Sequence, residues 1–266
     1  MVNNKDLGPF EEYEVIKVKN DKYIESVDSI ATEIPFTIVA NNIEVATLLC
    51  SPVDLKEFTI GFLYTSGFIQ SLKDLQSYVL DSANWRATVR VTHTPDLEAF
   101  QRRLYTSGCG KGIMYTSVNE IMYRHSIKSN IKIAAANIIS IALWLQKCSE
   151  LYKKTGGSHT AALSVKGRIP IIHLDDIGRH NAVDKVIGRA LCERVDFTKS
   201  ILISSGRSSS EILHKARVCK IPVIMSRGAP THQTVLRARD MGICVIGFAR
   251  GTGFTVYSHD DAIIVH

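Results

Sequence analysis

The sequence predicts an α/β protein built in two parts, and three observations predict it. From Ala161 onward, short apolar runs alternate with helical patterns. The first ~100 residues hold mostly strand-like runs and one helical stretch. Between them a Gly-rich segment, Tyr105 to Gly112, interrupts regular patterning before a polar stretch to about Asn130. The expected division is a smaller, β-rich α+β N-terminal domain at 1–125, ending in the Cys109 loop, and a mixed-sheet α/β domain at 126–266.

In chain order, Glu12 to Val18 has strand character. PFTIVA and IEVATLLC flank Asn41-Asn42 and read as a hairpin. Ser51-Pro52-Val53-Asp54 opens a helix with Phe58, Phe62 and Leu63 at helical spacing, and Gly67 lies past its end. Tyr78–Asp81 and Arg86–Thr92 form a second hairpin around Ser82–Trp85. Thr94-Pro95-Asp96 reads as a helix start, with the helix running to about Leu104. A further helix carries Ile138, Ile141, Leu145, Cys148 and Tyr152 until Gly156-Gly157 stops it. AALSV and IPIIHL turn at Lys166-Gly167. Helix 181–192, strand 201–205, helix 209–219, strand 222–226, helix 231–241 and strand 243–248 follow, with a last strand at Phe254–Tyr257. Such alternation implies a largely parallel sheet, made mixed by its opening hairpin.

The 266 residues are 45% apolar and 22% charged, ample for a buried core and unlike a disordered or fibrous chain. A net charge of +6 favours anionic ligands, acidic proteins or nucleic acid, although no recognisable nucleic-acid motif accompanies it. The longest apolar stretch, Ala134 to Leu145, falls short of the ~20 residues a bilayer requires, so no membrane association is expected. The opening MVNNKDLGPFEEYEV has no apolar signal core, which makes the cytoplasm the expected location. Six scattered cysteines without C-x-x-C or close His/Cys spacing argue against a structural metal.

Ligands of open α/β sheets sit at the carboxyl ends of strands, so the loops leaving those ends carry the first site candidates. They are Asp175–Asn181, Ser205–Glu211, Ser226–Thr231 and Phe248–Gly253, and each supplies an Arg and a Gly. Three run into helices whose free N–H groups favour anions, so the set suggests a phosphate or diphosphate cradle. Ser208 and Glu211 stand at capping-box spacing, and ordinary capping is the alternative reading of that loop. Asp176, Arg179, His180 and Arg207 are further crevice candidates for substrate hydrogen bonding or proton handling, or else an ion-pair network fixing the loops. His159, after Gly156-Gly157-Ser158, is a ligand candidate or a structurally satisfied histidine.

Five cysteines lie in apolar runs, where cysteine acts as a small hydrophobe. Cys109 differs: Gly108 and Gly110 flank it on a loop, a placement suited to a thiol that must be reached. Lys111, Arg102 and Arg103 are cations that could favour its thiolate.

The runs TGGSHTAAL (155–163), DDIGRHNAVDKVIGRAL (175–191), SSGRSSSEILHKA (204–216) and GFARGTGFTVYS (247–258), with TSGCGKG (106–112), resemble the formate dehydrogenase accessory sulfurtransferase family, FdhD. A weaker match continues through SPVDLKEFTIGFLYTSGFI (51–69). The resemblance implies a cytoplasmic homodimer that takes persulfide sulfur from a cysteine desulfurase. It passes that sulfur to the bis-molybdopterin guanine dinucleotide cofactor, its cargo, for the formate dehydrogenase apo-enzyme. It also implies a cytidine-deaminase-like C-terminal domain, Cys109 as the sulfur carrier, and cofactor contacts at Phe248, Ala249, Arg250, Gly251, Thr252 and Gly253. One departure is plain: many members carry C-x-x-C where this chain has Cys109-Gly110-Lys111-Gly112, so a relay would use one cysteine. A non-catalytic escort that only holds the cofactor is the alternative. Nucleobase deamination is not expected, because His159-Thr160-Ala161 lacks the general-base Glu and no P-C-x-x-C occurs.

Overall fold

Two left-handed residues, Asn20 and Asp21 (φ 49° and 58°), turn strand β1 (Phe10–Lys19) back into β2 (Lys22–Ala31) as an isolated two-stranded ribbon. The same device at Asn41 and Asn42 (φ 48° and 66°) joins β3 (Ile34–Ala40) to β4 (Ile43–Cys50). With β5 (Leu75–Asp81) and β6 (Arg86–Val91), these form a four-stranded sheet of order β4-β3-β6-β5. Helix α1 (Leu55–Thr65) lies on it, and its Phe58 and Leu63 pack with Phe36, Ile38 and Val89 into a closed core. The computed structural model describes residues 7–92, 103–105, 113–115, 126–251 and 253–265.

Short strands β7 (Arg103–Tyr105) and β8 (Ile113–Tyr115) pair antiparallel on either side of residues 106–112. The expected helix from Thr94 therefore does not reach Leu104, and its remainder lies outside the described residues, as does Cys109.

The second half is a six-stranded sheet of order β11-β10-β12-β13-β14-β15. Its strands are β10 (His159–Val165), β11 (Ile172–Asp176), β12 (Ser200–Ser204), β13 (Val223–Ser226), β14 (Cys244–Arg250) and β15 (Gly253–Ser258). Only β12–β13 and β13–β14 are parallel. The sheet is mixed, as its opening β10–β11 hairpin implied, and less parallel than the alternation suggested, because β15 folds back on β14 and β10 also opposes β12. One face is covered by α4 (Arg179–Cys192), α5 (Ser210–Val218) and α6 (His232–Met241), the other by α2 (Ala135–Leu145), giving a core on each side. The single helix expected over 138–152 is two. Ser149 caps a new helix α3 (Glu150–Thr155) by accepting from the Tyr152 amide, and a polar junction at 146–149 separates it from α2. A short parallel pair, β9 (Ile133–Ala134) with β16 (Ile263–Ile264), ties the chain's end to the start of α2.

Helices α1 and α4 meet backbone to backbone. A Cβ on Gly61 would lie 1.8 Å from the Asp184 carbonyl oxygen, and one on Gly188 would lie 1.9 Å from that of Glu57. Glycine at both positions is what permits this approach. Two buried ion pairs flank the crossing. Lys215 Nζ sits 2.8 Å from both Asp184 oxygens, with Thr65 donating to Oδ1 at 2.7 Å. Lys185 Nζ lies 2.7 Å from Asp176 Oδ2, both side chains fully buried.

Candidate functional site

Since β10 opposes β11 and β12, while β12, β13 and β14 run together, one rim of the sheet gathers four carboxyl ends and the amino end of β10. All four polar loops read from the sequence leave from this rim, and they stack. The Ser205 amide donates to Thr160 O, Arg227 N to Ser204 O, Thr231 N to Ser208 O and Phe248 N to Gly228 O. A β-bridge between Ser208 and Pro230 locks the second loop to the third.

The fourth loop is bent by a register shift between Gly247 and Arg250, where Phe248 holds φ 51°. A left-handed phenylalanine is a costly conformation that stacked neighbours must hold in place, and such strain and bulges cluster at ligand sites. The bend leaves Phe248 and Arg250 exposed and Ala249 buried, while Arg250 Nε donates to Arg227 O at 3.3 Å. Gly251 and Gly253 border the turn, and Thr252 lies outside the described residues.

Arg179 opens α4 with its side chain laid across Gly206. A Cβ there would meet Arg179 Cδ at 2.8 Å, so glycine makes room for the arginine. Its buried Nε has no hydrogen-bond partner among the described residues. His159 Nδ1 lies 3.3 Å from Ser205 Oγ, which also accepts from the Thr160 amide at 3.0 Å. Burial, then Arg179, lowers the His159 pKa, so the ring is neutral at pH 7. His180 Nε2 lies 3.1 Å from Ser209 Oγ and 3.4 Å from Glu211 Oε2. Burial first, then Arg179 and Lys215, pushes the His180 pKa down to about 3 despite that carboxylate. The two cations outweigh the one acid, and a neutral ring serves both oxygens only through an Nε2–H.

The expected Ser208–Glu211 capping box does not form. Ser209, not Ser208, caps α5 by accepting from Ile212 N, while Ser208 is buried in the bridge and Glu211 faces His180. Asp176 is likewise turned away from solvent. It accepts from Lys185, the amides of Ser51 and Gly178, and Asn181 Nδ2. This carboxylate fixes the loop before α4 onto the first helix–sheet unit. Arg207 is exposed, its backbone against Gly228.

A cavity of about 430 Å³ opens beside this rim, between the α2–α3 junction (Gln146, Ser149, Tyr152), the His159 strand end, Ser205 and Arg227. That volume suits a small-molecule site. Ser158 Oγ, buried in its wall, has no hydrogen-bond partner among the described residues. Reading the sequence missed the junction residues, since they reach the rim only because the helix breaks at 146–149. It also passed over Arg227 and Ser205 as individual candidates, although both stood in the singled-out loops.

The electrostatic balance of the rim is one-sided. Among the described residues, none of Arg179, Arg207, Arg227 and Arg250 takes part in an ion pair, while the nearby acids Asp176, Asp184 and Glu211 face Lys185, Lys215 and His180. Asp175 is the exception, a half-buried carboxylate that accepts from the Ser149 and Thr160 hydroxyls. Unpaired guanidiniums beside helix N-termini favour an anion, phosphate in particular. No group of three or more His, Cys, Asp or Glu side chains among the described residues is placed to hold a metal ion. No helix among them is long and apolar enough to cross a membrane.

Comparison with known proteins agrees across the length of the chain. Residues 31–264 match the model of the FdhD/NarQ family. Sulfur carrier protein FdhD of Staphylococcus aureus strain MRSA252 is 38% identical over 254 residues, covering 94% of this chain and 95% of the relative. The strain Newman protein of the same name matches equally. The crystal structure of a candidate formate dehydrogenase accessory protein from Desulfotalea psychrophila superposes with a TM-score of 0.79 at 24% identity, over 97% of this chain and all of that one, and so shares the fold. With the motif-bearing loops inside the matched region and 38% identity to curated members, this chain belongs to the FdhD/NarQ family.

Proposed function

We propose that the protein is a sulfurtransferase. In this reading the Cys109 thiolate attacks the terminal sulfur of a cysteine desulfurase persulfide, the desulfurase thiolate leaves, and Cys109 becomes the persulfide. The outer sulfur would then pass to the bis-molybdopterin guanine dinucleotide cofactor destined for the formate dehydrogenase apo-enzyme, with the Cys109 thiolate as leaving group and a thiol reductant or the cofactor itself supplying the two electrons that take that sulfur to sulfide. That cargo's guanine nucleotide and pyrophosphate would be held at the arginine-rich rim, with Arg250, Phe248 and the segment through Gly253 as principal contacts. Arg179, Arg207, His159 and His180 would stand around them, and Asp176 would act by positioning the loop. The same reading makes the protein a cytoplasmic homodimer, with domains at 1–125 and 126–266, the second cytidine-deaminase-like. A separate core over 34–91 and a six-stranded sheet opening on an antiparallel strand support that division and that likeness.

The observation that carries the sulfur assignment is the inventory of thiols. Burial raises the pKa of every described cysteine: Cys50 and Cys219 far above the ordinary range, Cys244 to about 12 and Cys148 to about 11. Cys192 is exposed but raised too, and it ends α4, roughly 20 Å along the helix from Arg179. Each is a poor nucleophile at neutral pH or remote from the rim, which leaves Cys109. Gly112, standing where many members have a second cysteine, favours a second reading: an escort that binds the cofactor without covalent chemistry.

Intact-protein mass after incubation with a desulfurase and cysteine separates the two. A reductant-reversible gain of one sulfur by the wild type, absent from Cys109→Ala, is the expected result. No gain in either protein would leave the escort, and a gain in both would assign another cysteine. Arg250→Ala should weaken guanine-nucleotide binding by at least ~10-fold, the weight of a charge-assisted phosphate contact, without lowering the melting temperature.

A further inference from the structure

The β1–β2 ribbon carries exposed apolar side chains that the other described residues leave in solvent. Each strand is ten residues, about 33 Å long, and among the described residues the ribbon pairs with no third strand. Among the described residues it is fastened at its root, where Thr32 N donates to Pro9 O, Lys154 Nζ lies 4.4 Å from the centre of the Phe10 ring and β2 packs against α3. Beyond the root, Tyr13, Ile16 (66% exposed), Val18 (65%), Tyr23 (82%), Ile24, Val27 and Ile30 all stand in solvent. None of residues 10–31 belongs to any of the three cores. A two-stranded ribbon alone in water is marginal at best, and open apolar strands invite association. The seven side chains stand on both faces of the ribbon, Tyr13, Ile24 and Ile30 on one and Ile16, Val18, Tyr23 and Val27 on the other, and the outer edge of β1 is open among the described residues.

The charge order along β1 says what pairs with that open edge. Glu11, Glu12 and Glu14 fill its first half, and Lys17 and Lys19 its second. Turned antiparallel, that order complements itself. About a two-fold axis through Val15, Glu11 stands opposite Lys19 of the second copy, so two such pairs form, and Val15 meets Val15 on the axis. Lys17 stays ion-paired to Asp28 of its own ribbon, and Glu14 lies diagonal to its own copy, farther off than the directly opposed Glu11–Lys19 pairs. Opposite charges placed across a strand pair each contribute ~0.2–1 kcal/mol, and like charges cost similar amounts. Strand β2 lacks this property. Matching its Lys22 to Asp28 in the same way would set Glu25 against its own copy.

We infer that the β1–β2 ribbon is the arm by which two copies of this chain associate, with β1 pairing antiparallel to β1 of the second copy. This rests on the homodimer of the proposed function and names the surface that would form it. The test uses two full-length charge variants, Glu11→Lys/Glu12→Lys/Glu14→Lys and Lys17→Glu/Lys19→Glu, with mass in solution measured by light scattering after size exclusion. The wild type should run at twice the 29.5 kDa chain mass. Each variant alone should dissociate at least tenfold more readily, because every charge along β1 then has one sign. Mixed one to one, the two should recover a dimer containing one of each.

Both variants should keep wild-type near-ultraviolet circular dichroism, since the three cores lie elsewhere, so a lost dimer would not be a lost fold. Variants that each stay dimeric, or a mixture that stays monomeric, would overturn the arm while leaving the homodimer standing. A wild type at single-chain mass would overturn both. Sulfur loading of Cys109, read by mass in the same samples, is independent of either outcome.

Discussion

Replacing Gly61 by alanine sets two effects of opposite sign against each other. In an isolated helix the change would stabilise by about 1 kcal/mol, since glycine is the poorest ordinary helix former. At this position the added methyl would sit 1.8 Å from the Asp184 carbonyl oxygen and 2.9 Å from the Gly188 nitrogen, both backbone atoms that no rotamer change can move. Ordinary contact begins near 3.4 Å, so α1 and α4 must separate by roughly 1.5 Å along their crossing. That separation pulls Thr65 from Asp184 and Glu57 from Arg189, now 2.7 Å and 2.9 Å apart, and opens the packing of Tyr64 and Leu191 between the two cores. Overpacking of this kind costs typically ~1–3 kcal/mol, with the lost buried hydrogen bond adding ~1 kcal/mol or more. The expected outcome is a net loss of about 2 kcal/mol, read as a lower urea midpoint. Gly156→Ala is the control. Its φ is +64° with no atom within 4 Å, so it should cost only the ~1–2 kcal/mol of a left-handed alanine, with no change at the α1–α4 contact. A Gly61→Ala protein as stable as the wild type would show that the helices are not held at backbone contact.

Lys185→Met should cost about 3–5 kcal/mol by stranding the fully buried Asp176 carboxylate, and adding Asp176→Asn should recover part of it, because the amide removes the charge and its one oxygen still accepts from Gly178 N, although the Ser51 N–H then loses its acceptor. Urea midpoints of the two singles and the double would measure the coupling. Stability should also fall on acidification. His180 titrates near 3 in the folded protein and near 6.5 unfolded, so between those values the unfolded chain holds the extra proton and gains up to ~1.4 kcal/mol per pH unit. The stabilisation is complete above about pH 6.5 and is lost progressively as pH falls toward 3. His180→Gln keeps a donor for Ser209 without titrating and should flatten the fall between about pH 7 and about pH 4.5; an unchanged slope would assign the loss to other groups.

How much of this was legible in the sequence varied with the kind of signal. Turns were most legible: Asn41-Asn42 and Gly156-Gly157 act through their own backbone preferences, and both stand where local chemistry puts them. Strand β2 escaped because Asn20-Asp21 is a weaker hairpin signal than Asn-Gly and KYIESVDSIA alternates poorly, the mark of a ribbon with no core to face. The break at 146–149 escaped because the spacing of Ile138, Ile141, Leu145, Cys148 and Tyr152 is equally that of one helix, and the Ser149 cap that divides it is a single weak residue. Sheet direction escaped for a different reason. Strand and helix alternation says how many crossovers exist, but not that β15 doubles back on β14. At the site, the loops could be read from polarity and position alone. Which of their charges face solvent could not, since that is decided by Lys185 and Lys215, cations inside helices whose partners lie in other elements.

Those two lysines link stability to the chemistry of the rim. Burying a lysine–carboxylate pair gains little over an apolar pair of the same shape, so stability alone gives weak reason for two of them beside one site. Their electrostatic effect is larger. Asp176 and Asp184, left unpaired so close to the α4 N-terminus, would repel the phosphates that Arg179, Arg207, Arg227 and Arg250 are free to attract. Paired inside the protein, the same carboxylates become fastenings: Asp176 holds the Ser51 and Gly178 amides, and Asp184 holds Thr65. The unit around α1 thereby fixes the loop that carries Arg179 and His180 without adding negative charge to the surface where an anion would sit. The cost of desolvation is spent on placing the arginines, and it follows that Lys185→Met should weaken phosphate binding at the rim as well as the fold, whereas Gly61→Ala should weaken the fold first.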